Sequence, residues 1–284
     1  MSTSPILRLI GERRVSVVRD AAAVWRVLND DPVGSCMVAA RVADYGVEPN
    51  SIGGELWTLR GTDESLCFAG ANLVPLRGGL IDMNAFADEA MSSVRRCSSL
   101  VGRAELVLPM WQRLESAWGP ARDVRARQPL MALSSYPTCA IDTQVRQVRP
   151  EELDAYLVAA VDMFIGEVGV DPRMGDGGRG YRRRVAALIA AGRAWARFEH
   201  GQVVFKAEVG SQSPTVGQIQ GVWVHPEWRG MGLGTTGTAT LAAVIVGTGR
   251  VASLYVNDFN AVARAAYARI GFEEVGTFAT VLLD

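Results

Sequence analysis

The stretch VWVHPEWRGMGLGTTGTATLAAVIVG, residues 222–247, runs from apolar strand-type residues through a glycine-rich turn into a long apolar helix pattern. Such a turn is suited to phosphate. Glycines let backbone N–H groups approach an anion, and the first turn of a helix adds free donors and partial positive charge. A Walker-type loop would place a lysine in the turn to reach the terminal phosphates. The chain's one lysine, Lys206, lies upstream instead. Gly232-Leu233-Gly234-Thr235-Thr236-Gly237 spells G-x-G-x-x-G, and Asp258 ends the next strand where it could meet a ribose. Against that dinucleotide reading, HPEWRGM separates Val224 from Gly232, and fewer than fifty residues follow the turn, too few for a second mononucleotide half. A nicotinamide enzyme therefore stays the weaker rival.

A second cluster follows in LYVNDFNAVARAAYARIGF, residues 254–272. Asn260 is placed to cap a helix. Tyr267 shares a helix face with Ala263, Ala266 and Ile270, and periodicity alone makes it a core residue. Upstream, Lys206 and Glu208 alternate onto one face of the strand VVFKAEVG, where an ion pair or solvation is the plain expectation. Arg182, Arg183 and Arg184 read as a solvated helix face. Their alternative role is a lid over a substrate, with Glu167 or Asp171 on the preceding segment touching an amine. His225 and Pro226 shape the turn, and Trp195 and Trp223 pack.

Arg229-Gly230-Met231-Gly232-Leu233-Gly234 contains R-x-x-G-x-G, and the Asn260–Phe272 cluster follows about twenty-five residues on. This pair of motifs resembles the two signatures of the GNAT superfamily of acyl-CoA-dependent N-acyltransferases, over roughly residues 140–284. The resemblance implies transfer of acetyl from acetyl-CoA, a co-substrate, to a primary amine by direct attack in a ternary complex. No cysteine falls in either motif to carry the acyl group. It implies that Arg229, Gly230, Met231, Gly232, Leu233, Gly234 and Thr235 hold the pyrophosphate of coenzyme A. The main chain of Val222, Trp223 and Val224 would bond the pantetheine arm, with the Val224 N–H aimed at the thioester carbonyl. Asn260 and Ala263 would lie along that arm, and Tyr267 would protonate the departing thiolate. Many members carry a carboxylate base on the strand before the turn. Gln218 and Gln220 stand there, so Glu208 on the adjacent strand is the nearest candidate. A non-catalytic acyl-CoA-binding regulatory module is the alternative from another class.

The elements that must position these groups read as follows. TQVRQVRP is a strand, EELDAYLVAAVDMFIGEV and YRRRVAALIAAG are helices, and RAWARFEHGQVVFKAEVG is a hairpin turning at His200-Gly201. TVGQIQGVWV, a helix from about 233, VASLYV, NAVARAAYARIG and TFATVLL complete the order β-α-α-β-β-β-α-β-α-β. The first half runs through a similar order with DAAAVWRVLNDD, a Trp57 hairpin and QPLMALSS as its last strand, but its turn ANLVPLRGGLIDMN lacks the full motif. The fold class expected is α/β (α+β): a mixed, mostly antiparallel GNAT sheet with flanking helices, in tandem with a degenerate N-terminal copy. The domains expected are 1–137 and 138–284, the second catalytic.

Of 284 residues, 49% are hydrophobic and 21% charged, and the net charge is −1, which argues against nucleic-acid or anionic-membrane partners. The opening MSTSPILRLIGERRVSVVRD has no uninterrupted apolar core of a signal sequence. Four scattered cysteines and two histidines lack metal-ligand spacing, so no metal is expected and a reduced, cytoplasmic setting fits. The partner expected is an amine acceptor, a small molecule or a protein. Acceptor identity and oligomeric state are not written in these patterns.

Overall fold

A computed structural model describes residues 14–284; residues 1–13, the first part of the segment read for a signal sequence, lie outside the described residues. The chain forms two compact units, one of Met1–Gln128 with Gly276–Asp284 and one of Pro129–Val275.

In the first half come β1 (Ser16–Val17), α1 (Ala21–Asp30), α2 (Cys36–Tyr45), α3 (Pro49–Ile52), β2 (Gly54–Thr58), β3 (Leu66–Gly70), β4 (Leu73–Arg77), α4 (Leu80–Met91), β5 (Ser99–Arg103), α5 (Ala104–Trp118) and β6 (Asp123–Leu133). In the second come β7 (Arg146–Gln147), α6 (Leu153–Val168), α7 (Arg179–Ala190), β8 (Ala194–Glu199), β9 (Gln202–Gln212), β10 (Val216–Val224), α8 (Leu233–Gly247), β11 (Val251–Tyr255), α9 (Ala261–Ile270) and β12 (Glu273–Leu282). Apart from the extra short helix α3, both halves pass through one order of elements. The fold is mixed α/β, with a mostly antiparallel sheet flanked by helices.

The sheet of the first unit runs β1-β2-β3-β4-β5-β12, and that of the second β6-β11-β10-β9-β8-β7. Only β4–β5 and β10–β11 are parallel among the registered pairs. The last strand of each half pairs in the other half's unit. Leu130–Leu133 of β6 register with Tyr255–Ala252 of β11, and Phe278–Leu282 of β12 register with Arg103–Ser99 of β5. The units therefore differ from the expected cut at 137/138: QPLMALSS lies mostly in the second unit and TFATVLL in the first.

Local chemistry accounts for the elements that bear on the site. Asp20 caps α1 by accepting from the N–H groups of Ala22 and Ala23 at 2.9 and 3.1 Å. The β8–β9 hairpin turns on His200 and Gly201 with φ of 49° and 79°, the two positive angles of a type I′ turn. Helix α8 is apolar nearly all round and is buried along most of its length. It sits close enough to the sheet that a Cβ at Gly237 would lie 2.6 Å from the Phe205 ring. Its core includes Phe205, Ile219, Leu241, Ile245, Leu254 and Tyr267. No described helix is long and apolar enough to cross a membrane.

Candidate active site

Strands β10 and β11 begin together and separate. Their parallel ladder has the registered pairs Val216↔Val251, Gly217↔Ala252 and Gln218↔Ser253. β10 then continues to Val224 along β9, through Gln220↔Glu208, Trp223↔Lys206 and Val224↔Phe205, with an irregularity between Gln220 and Trp223. Gly221 supplies the positive φ of 59° that this bulge requires. His225 donates its N–H to Val204 O at 3.0 Å. The alternation of an antiparallel ladder therefore turns the Val224 N–H away from β9, to the side that β11 has left. At the point of separation Ser253 is buried, and its hydroxyl has no hydrogen-bond partner. A buried donor of that kind is ordinarily satisfied by water or a ligand.

The glycine turn follows directly. A 3-10 turn at Pro226–Trp228 leads to Arg229, whose Nε donates to Val224 O at 3.2 Å. Gly230 and Gly232 hold φ of 77° and 84°, and a Cβ at either would meet nothing within 4 Å. At Gly234 a Cβ would meet only Val224 Cγ2, at 3.6 Å. Gly232 is the N-cap of α8, and no side chain caps that end. Leu233, Gly234 and Thr235 thus open the helix with a cradle that side chains would fill, and Met231 stands exposed beside it.

After β11, Asn260 Oδ1 accepts from the Ala263 N–H at 3.1 Å and starts α9. Tyr267 lies one turn further along the face of Ala263, 7% exposed, its ring edge-on to Phe272 at 6.2 Å. Burial pushes its hydroxyl well above the ordinary tyrosine range, and the charge of Glu167 pushes the same way. At neutral pH the hydroxyl carries its proton.

Lys206 and Glu208 share a face as their alternation requires, but that face is closed. Lys206 is wholly buried, with Nζ donating to Glu208 Oε1 and to Gly221 O at 3.0 Å each, 5.4 Å from the Tyr156 ring centroid. The Tyr156 hydroxyl donates to Glu208 Oε1 at 3.1 Å, and Gln220 Nε2 reaches Oε2 at 3.5 Å. Desolvation raises the Glu208 pKa, but the Lys206 ammonium, Arg184 and the Tyr156 hydrogen bond together outweigh it and leave it below the usual carboxylate value. Glu208 is thus brought to the bulge, yet it is fenced in and reluctant to take a proton. The contacts of Lys206, Tyr156 and Gln220 with its two oxygens are what any role for Glu208 as the expected base has to contend with.

The remaining candidates divide. Arg182 pairs with Asp154 at 2.5 Å, and Arg183 and Arg184 are exposed. Asp171 is held by Arg173 in a two-pronged pair that lowers it to about 2. Glu167, the last residue but one of α6, is exposed. Between α6 and α7 lies a cavity of about 200 Å³ walled by Leu157, Val161, Tyr181 and Arg179. Sequence reading missed Tyr156 and Gly221. A lone glycine inside a strand pattern is a bulge signal and could have drawn attention to Gly221; nothing local marks Tyr156.

Residues 54–156 match a family model described as a domain of unknown function (DUF4081), and residues 206–281 match one described as FR47-like protein. No curated protein matches the chain. Among solved structures the chain is similar to a Drosophila protein at 12% identity and TM-score 0.64, covering 96% of this chain and 99% of that one. It is similar to an acetyltransferase of the GNAT family from Colwellia psychrerythraea at 10% identity and TM-score 0.56, covering 95% and 100%. It is likewise similar to a GCN5-related N-acetyltransferase from Sphaerobacter thermophilus at 16% identity and TM-score 0.56, covering 96% of each. At such identities the likeness is one of fold.

Proposed function

From a chain with the GNAT acetyltransferase fold and an FR47-like C-terminal region, we propose that the second unit is an acyl-CoA-dependent N-acetyltransferase acting on a primary amine. The observation that carries the reading is the gap between β10 and β11, which has an outward-turned Val224 N–H on one wall and an uncapped, side-chain-free glycine turn at its end. A strand edge with a free N–H and a turn of bare backbone at its end suit a ligand that accepts main-chain hydrogen bonds and carries an anionic tail. Acetyl-CoA, as the acyl-donor substrate, supplies the activated thioester.

In this reading Arg229 and the N–H groups from Gly230 to Thr235 receive the pyrophosphate. Val222, Trp223 and Val224 present a strand edge to the pantetheine, and the Val224 N–H faces the carbonyl that gains negative charge during attack. Asn260 and Ala263 line the opposite wall. Tyr267, buried and protonated, donates to the leaving sulfur. Lys206 and Glu208 have a different task. Lys206 grips the Gly221 carbonyl and so fixes the bulge that turns Val224 outward.

Calorimetry and a thiol-release assay with a panel of amines test the reading together. Tyr267→Phe keeps the ring and loses the donor, so it should bind acetyl-CoA as wild type does while turnover falls by roughly ten- to ten-thousand-fold. Failure of wild type to bind acetyl-CoA would refute the proposal outright. Binding without thiol release for any amine would leave an acyl-CoA-binding regulatory module.

A further inference from the structure

An acyl transfer needs a destination for the proton that the acceptor nitrogen loses, and Glu208 is committed to Lys206. Helix α6 offers another. Tyr156, Ala160, Met163 and Glu167 follow one another at spacings of four, three and four, which stacks them on one side of the helix. The inner members show where that side faces. Tyr156 bonds to Glu208, and the Met163 methyl lies 3.3 Å from where a Cβ on Gly221 would stand. Burial falls steadily along the stripe: Tyr156 and Ala160 are buried, Met163 is half-buried and Glu167 is exposed. Glu167 therefore stands one turn beyond the bulge, on the order of 6 Å along the axis from Met163, at the open end of the same face.

The surroundings agree with this placement. Tyr181 on α7 and Tyr267 on α9 are both raised, Tyr181 to about 12, chiefly by burial, and the Glu167 charge contributes to each. The carboxylate is thus within electrostatic reach of the tyrosine across the gap.

We infer that Glu167 is the general base of the acyl transfer, taking the proton of the acceptor nitrogen on one side of the gap while Tyr267 gives one to sulfur on the other. The inference rests on the acyl-transfer reading above. The nitrogen lone pair forms the C–N bond, and the C–S bond breaks with its electron pair going to sulfur. Sulfur takes the Tyr267 proton, and Glu167 takes the proton that nitrogen sheds. Transfer from Glu167 back to the tyrosinate through solvent restores both groups. Neutralising Glu167 also removes the charge that opposes ionisation of Tyr267, so acceptance of one proton eases release of the other.

The test compares full-length wild type, Glu167→Gln and Glu208→Gln. Acetyl-CoA is titrated by calorimetry, and thiol release is followed with spermidine, an aminoglycoside and a tripeptide bearing a free N-terminus. Glu167→Gln should keep the wild-type affinity for acetyl-CoA and lose roughly a hundred- to ten-thousand-fold in turnover at neutral pH. Part of that loss should return as pH rises and free amine becomes abundant. If wild type turns over and Glu167→Gln matches it across the pH range, the base assignment is overturned while the acyl-transfer reading stands. If wild type binds acetyl-CoA and releases thiol with none of the acceptors, the reading falls and the base assignment falls with it.

Discussion

Two glycine turns lead from strand to helix in this chain, one in each unit, and they have opposite fates. In the second unit Gly232 caps α8, followed by Leu233, Gly234 and Thr235. In the first, Gly79 caps α4, followed by Leu80, Ile81 and Asp82. There the Gly79 N–H donates to Asp82 Oδ2 at 2.9 Å, and Arg60 Nη2 reaches both carboxylate oxygens at 3.1 Å. Asp82 is only 2% exposed. The chain's own carboxylate occupies the place that a ligand phosphate would take, and Ile81 stands where Gly234 leaves room. The same local device is a sealed joint in one unit and an open cradle in the other, and two side chains decide which.

Each unit also buries a carboxylate beside a cation near its site or turn, but in different places. Asp82 closes a turn, whereas Glu208 sits with Lys206 at a bulge and leaves its turn open. The Lys206 pair is the more deeply buried, so its disruption should have the largest effect. Lys206→Met leaves Glu208 buried without its cation, a change that costs about 3–5 kcal/mol. Urea denaturation at neutral pH should show this loss, and Lys206→Met with Glu208→Met should recover much of it. The pH dependence follows from Glu208 lying below its ordinary value. A lowered carboxylate contributes stability that is present above its unfolded value, ~4.3, and is lost as pH falls through the folded one. In Lys206→Met burial, the largest influence on Glu208, is opposed only by Arg184 and the Tyr156 hydrogen bond and shifts Glu208 toward the neutral acid, so the gap between variant and wild type should narrow as pH falls. A gap that is constant with pH would mean the pair is held by packing rather than charge.

Much of this architecture is written in local chemistry and was readable there. The Asn260 cap, the His200-Gly201 turn and the glycine cradle each depend on residues within a few positions of one another. The exchange of β6 and β12 was not readable, because a strand's alternation records which face is buried and not which strand lies alongside. Helix α2, CMVAARVADY, went unread; its short apolar pattern follows α1 closely and lacks a side-chain cap bond. Glu208 shows the same limit at the site. Strand order placed it correctly beside Gln220, but whether its oxygens are free is decided by Tyr156 from a different helix.

The contrast between the turns can be broken by moving the plug. Thr235 in α8 holds the position that Asp82 holds in α4. Thr235→Asp should fold a carboxylate back onto the N–H groups of the cradle, where the helix terminus favours it by about 0.3–1 kcal/mol. The variant should therefore be slightly more stable and yet bind acetyl-CoA about a hundredfold more weakly, a loss of ~2.7 kcal/mol. Calorimetry and thermal melts on one preparation would show whether stability and affinity move in opposite directions. Unchanged affinity would mean that the phosphates do not lie at this turn.

The reverse change, Asp82→Thr, should do least. It removes a cap and the partner of Arg60, at a cost of about 0.5–2 kcal/mol in the first unit. It should not create a second site. Ile81, 53% exposed, would still carry a side chain at the position where Gly234 has none. Wild type and Asp82→Thr should each bind one acetyl-CoA per chain by calorimetry, with the same affinity. Adding Ile81→Gly to Asp82→Thr then gives the first turn both open residues of the second. A stoichiometry that rises toward two only in this double variant would show that the first unit retains the walls of a site behind its plug. A stoichiometry that stays at one would show that the gap itself is gone, and that Asp82 seals a turn which no longer leads anywhere.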